Sequence, residues 1–337
     1  MKFGVYNAIL HHLSLDDALD QVAALGLDGM EVNSGGFLPP VHLPVDEILR
    51  SDAAADAYRR RFEDRGLEIL GLNCNGNPLN PDPAIGSEDA EDIKRSIRAA
   101  AALGQTRVVT MSGLPASDPG GKYPAWNVNT WGSHALDSLE WQWDRLAEFW
   151  EPVDALAREN GVKVALELHP QNLVFNPPTI KRLVDRIGAT NIGVELDASH
   201  LFWQLMDPVA CVRWLGGLTF HAAAKDIRIN RENCEIAGVL DERFRRLSPE
   251  EKRTNMGGDE YVNEWPQDSS WDFVTVGVGH GASYWAEFLR ALSEVECSTG
   301  ETLCVNIEHE DTSMSVQDGL RLATNTLHEA AELAGLR

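Results

Sequence analysis

The chain is short of cysteine, of positive charge and of long apolar stretches, and each shortage removes a class of protein. Its five cysteines, Cys74, Cys211, Cys234, Cys297 and Cys304, are odd in number and follow neither a CxxC nor a zinc-ligand spacing. Reduced thiols in a cytoplasm are therefore expected, rather than a disulfide framework. Lysine and arginine number 29 against 52 aspartates and glutamates, a net charge of −23. Such a surface repels nucleic acid and anionic membranes, yet leaves room for a small substrate in a locally basic pocket. No run approaches the roughly 18 apolar residues of a membrane span. The opening MKFGVYNAILHHLS has neither a basic leader nor a long apolar core, so no signal peptide is expected. What is plentiful is core-forming residue: 43% of 337 positions are hydrophobic. One large domain over 1–337 is consistent with that, since α/β barrels reach this size in one piece.

Eight short runs rich in Val, Ile and Leu punctuate the chain: 2–8, 27–33, 67–75, 106–113, 162–170, 192–200, 218–226 and 302–311. Between them lie helical patterns. SLDDALDQVAALG offers Ser14 as N-cap, acids in the first turn and Gly26 as stop. SEDAEDIKRSIRAAAALG repeats that plan from Ser87 to Gly104, and EPVDALARENG and TIKRLVDRIG follow it. Eight strands alternating with helices predict a parallel (β/α)8 barrel. The connections after strands 4 and 7, residues 114–140 and 227–276, are long. In a barrel both belong to the C-terminal face, where long loops form lids or partner surfaces. Trp126 and Trp131, in the first, are candidates to line a pocket; Trp141, Trp143 and Trp150 fit the packing of the helix that follows.

Charged residues gather where strands end. Run 5 ends ALELHP, placing Glu167 and His169 on one face, because side chains alternate along a strand. Run 6 ends VELDASH, with Asp197 and, three residues on, His200. Run 7, FHAAAKD, carries His221, Ala223 and Lys225 in one parity; run 8, NIEHED, carries Glu308 and Glu310 on one face and His309 on the other. Several acids and imidazoles converge from four successive strands, and acids this close repel one another and raise each other's pKa values unless a cation joins them. Their oxygen and nitrogen donors suit a divalent metal, with Mn2+ expected first and Mg2+, Co2+ or Zn2+ accepted by the same donors.

With LDGMEVN on run 2, NCNGNPLNP after run 3, LELHP, LDASHLFWQ, AAAKDIRIN, TVGVGHG and IEHED, nearly the whole chain resembles the xylose isomerase-like barrel superfamily, in particular its sugar phosphate isomerase/epimerase branch. The resemblance implies a metal held by Glu167, Asp197, a strand-7 residue and Glu308. It implies that the two glutamates also exchange protons with a substrate carbon, and that His200 contacts substrate oxygen. That agrees with what the chemistry requires: a carbonyl polarised by a metal acidifies the adjacent C–H, and carboxylates on either side remove and return the proton. His169, Lys225, Arg228, Asn75, Trp126 and His280 are further candidates for substrate contact. The NG of NGNP is also a turn signal, and VGVGHG lacks the lysine and spacing of a phosphate loop.

One position departs from the resemblance. Relatives read HxHAKD on strand 7, and the second histidine is replaced here by Ala223; His221, the first, lies about 6–7 Å deeper along the strand. Three outcomes are open. His221 reaches the metal from below, or three carboxylates hold it with water or with His169 or His200, or the metal is weak or lost.

The functional expectation is a divalent-metal-dependent isomerase or epimerase acting by proton abstraction α to the carbonyl of a sugar or keto-sugar. Its alternatives are a lyase or deglycosidase of the same barrel type, eliminating an aglycone from a 3-keto-glycoside with a small partner subunit, and a degenerate, non-catalytic barrel. A small-molecule sugar is the expected partner, in a homo-oligomer or with that subunit. An apurinic endonuclease, which shares the fold, needs more histidine ligands and a basic face that this sequence lacks.

Overall fold

The computed structural model describes residues 1–251, 255–257, 260–261 and 263–336. Eight parallel strands close into a barrel: β1 (Lys2–Tyr6), β2 (Gly29–Asn33), β3 (Glu68–Asn73), β4 (Arg107–Thr110), β5 (Lys163–Glu167), β6 (Ile192–Asp197), β7 (Thr219–Ala224) and β8 (Cys304–Ile307). Each pairs with its neighbours in sequence, and β8 pairs with β1 to close the ring. Most strand residues are buried. The barrel is covered on the outside by helices through Val, Ile and Leu on one side and Trp143, Trp150, Trp285 and Phe288 on the other.

Local rules set several boundaries as expected. Ser14 caps helix Leu15–Ala24 by accepting from the Asp17 N–H, and Gly26 follows at φ 73°. Two boundaries differ. The helix expected from Ser87 begins at Pro83, with Asp82 as cap, because proline at the first position has its φ already set and no N–H to lose. The pattern expected to start at Glu151 is the end of a longer helix, Ser133–Glu159, that runs through Pro152. The first long connection is correspondingly shorter than expected.

The second long connection is folded back on the barrel mouth. Residues Asp226–Ile229 and Trp271–Val274 form an antiparallel two-stranded ribbon, with helix Arg231–Ala237 between them. Residues 252–254, 258, 259 and 262 of this connection lie outside the described residues. Asp226 fixes the ribbon to the glycine-rich turn: one carboxylate oxygen accepts from the N–H groups of Gly277, Gly279 and His280. A Cβ at Gly279 would lie 1.9 Å from the Ile227 carbonyl oxygen, so only glycine allows that approach. No helix among the described residues is long and apolar enough to cross a membrane, and the five cysteines are free.

Candidate active site

Strand alternation delivers one layer of side chains to the barrel mouth. Glu167 ends β5, Asp197 ends β6, and Glu308 follows β8 directly, tied down by its N–H to the Ala224 carbonyl. His200 lies on the first turn of the short helix Ala198–Trp203, which Asp197 caps by accepting from the Ser199 N–H at 2.7 Å. One oxygen of Asp197 is thereby spent on the backbone. The other stands 3.3 Å from His200 Nε2 and has no hydrogen-bond partner. The same His200 nitrogen is 3.3 Å from Glu167 Oε1, while Glu167 Oε2 accepts from the Asn75 side-chain N–H at 2.7 Å. The rings of His200 and His169 are 4.1 Å apart.

Across the mouth stands a cation supplied by the chain. The buried ammonium of Lys225 lies 2.5 Å from Glu310, 3.4 Å from Glu308 and 3.8 Å from Asp197. The Phe273 ring, from the ribbon, lies 4.4 Å from it and packs on His200 as well. These pairings set the protonation states. Burial raises the Glu308 and Asp197 carboxyls, opposed at Glu308 by Lys225 and at Asp197 by His200 and Lys225. Burial lowers the imidazoles of His169 and His200 to about 4, so both are neutral at pH 7. Lys225 is pushed well above its usual range, because Glu310, Glu308 and Asp197 outweigh the effect of burying it.

One layer deeper, the barrel interior is polar as well. His221 lies 2.8 Å from Glu31 and 2.7 Å from Asn306, and Glu31 also accepts from Asn73 and Asn306. Register explains the depth: Asp197 lies opposite Ala223, whereas His221 lies opposite Glu195. His221 is therefore not brought to the Glu167, Asp197 and Glu308 layer; its Nε2 is already engaged by Glu31 and Asn306. Burial, reinforced by Glu167, Glu308 and Asp197, raises Glu195 far above the carboxylate range. Glu31 moves the other way, since burial is overcome by His221 and the two asparagines. Gly4 makes this interior possible, because a Cβ there would meet the Asn306 side chain at 2.4 Å.

Of the other expected site residues, Asn75, His169 and Lys225 join the mouth, and Trp126 borders a cleft beside it with His169 and His200. Two are drawn elsewhere. Arg228 is exposed and pairs with Asp272 across the ribbon. His280 is held by Asp226 at 2.6 Å and stacked on Phe202, 3.9 Å between centroids. Trp131, expected near a pocket, is 94% exposed. Glu31, Asn73, Asn306, Glu195 and Phe273 were absent from the expected set; the parity of Glu31 with Asn33, and of Glu195 with Asp197, was the available signal.

The donors fit a divalent cation. Glu167, His169 and His200 each offer an atom within 4.8 Å of the others, and both His200 nitrogens and one Asp197 oxygen are buried without hydrogen bonds. Carboxylate oxygen with neutral imidazole is the donor set of such ions.

A closed eight-stranded parallel barrel with acids and imidazoles at the C-terminal strand ends defines the class of molecule. Within it, the chain belongs to the xylose isomerase-like TIM barrel family, whose model matches residues 19–325. It is 33% identical over 333 residues to the uncharacterized protein YfiH of Bacillus subtilis (strain 168), covering 98% of this chain and 99% of that protein. Among solved structures it is similar to the probable 3-DHS dehydratase AsbF of Bacillus anthracis, with TM-score 0.62, 15% identity and coverage of 97% and 99% of the two chains. It is also similar to an L-ribulose 3-epimerase, with TM-score 0.59, 16% identity and coverage of 99% and 97%.

Proposed function

We propose that this protein is a divalent-metal-dependent isomerase or epimerase that moves a proton α to the carbonyl of a sugar or keto-sugar. The observation that carries the reading is the pairing, in one buried chamber, of Glu167, held by Asn75, with Glu308, held by Lys225. Glu167, Asp197 and Glu308 would give oxygens to the metal, and the His169–His200 pair the nitrogen that His221 does not. When bound, the ion, Mn2+ by preference, would supply Lewis-acid polarisation of the substrate carbonyl.

The protein's own part is proton traffic. Glu167, its second oxygen fixed by Asn75, takes the proton from carbon; the C–H electron pair becomes the C=C bond and the carbonyl π pair moves onto oxygen, giving the enediolate. Glu308, carrying a proton on the oxygen it does not give to the metal, returns that proton at the neighbouring or opposite position. Lys225 steadies the charge on Glu308 as it deprotonates, and His200 donates to or accepts from a substrate oxygen. Phe273 covers Lys225 and His200, shielding the chamber from water.

The experiment is deuterium wash-in. Incubated with Mn2+ and a panel of keto-sugars in D2O, the protein is expected to leave deuterium at the α carbon of recovered sugar, and Glu308→Gln to reduce exchange at least 100-fold. No exchange across the panel, or full exchange by Glu308→Gln, defeats the assignment. Release of an aglycone without labelled sugar points instead to the lyase alternative.

A further inference from the structure

Beside the carboxylate chamber opens a larger cleft that the proton-transfer reading does not use. The chamber, bordered by Glu167, Lys225 and Glu308, has a volume of about 100 Å3; the cleft has about 380 Å3, and His169 borders both. A cleft of that size suits a small organic ligand, and its lining combines aromatic rings with polar groups, as such sites do. Trp203 and Trp271 stack in parallel at 5.0 Å, and Trp265 meets the edge of Trp271 at 4.6 Å and of Phe273 at 5.8 Å.

Three polar atoms of this wall, outside the imidazoles, are unspent. The indole N–H groups of Trp126 and Trp203 and the hydroxyl of Ser270 are buried with no hydrogen-bond partner, and Ser270 is only 4% exposed. An indole N–H can only donate. Buried donors left unpaired are destabilising, so their recurrence in one wall marks a place where a ligand supplies acceptors. The ring that fits must present apolar faces to tryptophans and oxygens at its rim. A pyranose does both, while an unsubstituted aromatic ring offers the faces without the oxygens.

We propose that the aromatic cleft is a second subsite, and that the substrate is a two-ring glycoside whose reacting sugar enters the carboxylate chamber while its linked sugar ring lies in the cleft. This rests on the isomerase or epimerase reading of the chamber. It names the substrate class as glycosides rather than free monosaccharides.

The test is calorimetric titration of the Mn2+-loaded protein with D-glucose, maltose, cellobiose and phenyl β-D-glucoside. At least one disaccharide is expected to bind 10-fold or more tightly than glucose. Trp265→Ala should cut that advantage below 3-fold with glucose binding unchanged. If Trp265→Ala does not fold, judged by near-ultraviolet circular dichroism, Ser270→Ala is expected to weaken disaccharide binding at least 3-fold and leave glucose unaffected. The subsite is overturned if no disaccharide surpasses glucose, if a folded cleft variant weakens both alike, or if only phenyl β-D-glucoside gains. The two readings separate cleanly. Deuterium exchange into a monosaccharide with no disaccharide preference removes the subsite alone; disaccharide preference with no exchange on any sugar removes the proton-transfer reading alone.

Discussion

Without the Lys225 ammonium, Asp197, Glu308 and Glu310 would face one another with no Lys or Arg counter-charge paired to them among the described residues. Breaking a buried ion pair by deleting one partner is strongly destabilising, by about 3–5 kcal/mol. Lys225→Met should therefore lose stability of that order in urea unfolding of the metal-free protein, and a loss under about 1 kcal/mol would show that the three pairings contribute little. His11 gives a pH dependence outside this cluster. Burial, with His42 at 5.3 Å between centroids, lowers its pKa from 6.5 to about 4, and both its ring nitrogens are buried without hydrogen bonds. The unfolded chain takes up a proton near pH 6.5 that the folded chain resists. The contribution is complete above that pH and is lost as pH falls towards about 4. His11→Gln should flatten the decline of Tm across this window; parallel declines in the two proteins would refute the role. At this scale the sequence was readable where alternation alone decides the outcome, as for Glu167, Asp197, Lys225 and Glu308. It was not readable for His221, because its partners Glu31 and Asn306 come from β2 and β8, and no local pattern announces pairing over 190 and 85 residues.

Among elements, the capping rules did most to locate helix ends, and they remain testable. Asn176 caps helix Pro177–Ile187 in a reciprocal box, accepting from the Thr179 N–H while Thr179 accepts from the Asn176 N–H. Asn176→Ala should lower stability by about 1 kcal/mol, read from denaturant midpoints at constant slope. In β1, Gly4→Ala places a methyl group against Asn306, Leu70 and the Gly29 carbonyl, all within 2.8 Å. Because a backbone atom is among them, the strand cannot relax freely, and a loss of about 1–3 kcal/mol is expected on overpacking. A neutral effect would show that the interior layer yields. All eight strands were visible from apolar runs between turn signals. The ribbon after β7 was not, since a charged, irregular stretch gives no warning that Asp226–Ile229 will pair with Trp271–Val274 across the 41 residues between them.

For the molecule as a whole, the net charge of −23 is a self-repulsion carried by the folded state and relieved in part on unfolding. Raising NaCl from 10 to 150 mM shortens the screening length from about 30 to about 8 Å, so Tm should rise across that range. A fall would mean that the many surface ion pairs outweigh the excess of acid. The barrel itself was legible because eight repeats of one local plan leave few alternatives, whereas the contents of its interior depend on which strands come to face one another. The seam between β1 and β8 gives that dependence a time course. Ribosomes add about 5–20 residues per second. β1 therefore waits roughly 15–60 s before β8 emerges to cover its free edge. Glu308 arrives with β8, so the two glutamates first meet when the ring shuts. A newborn chain therefore has no complete carboxylate layer until its last barrel strand has been made.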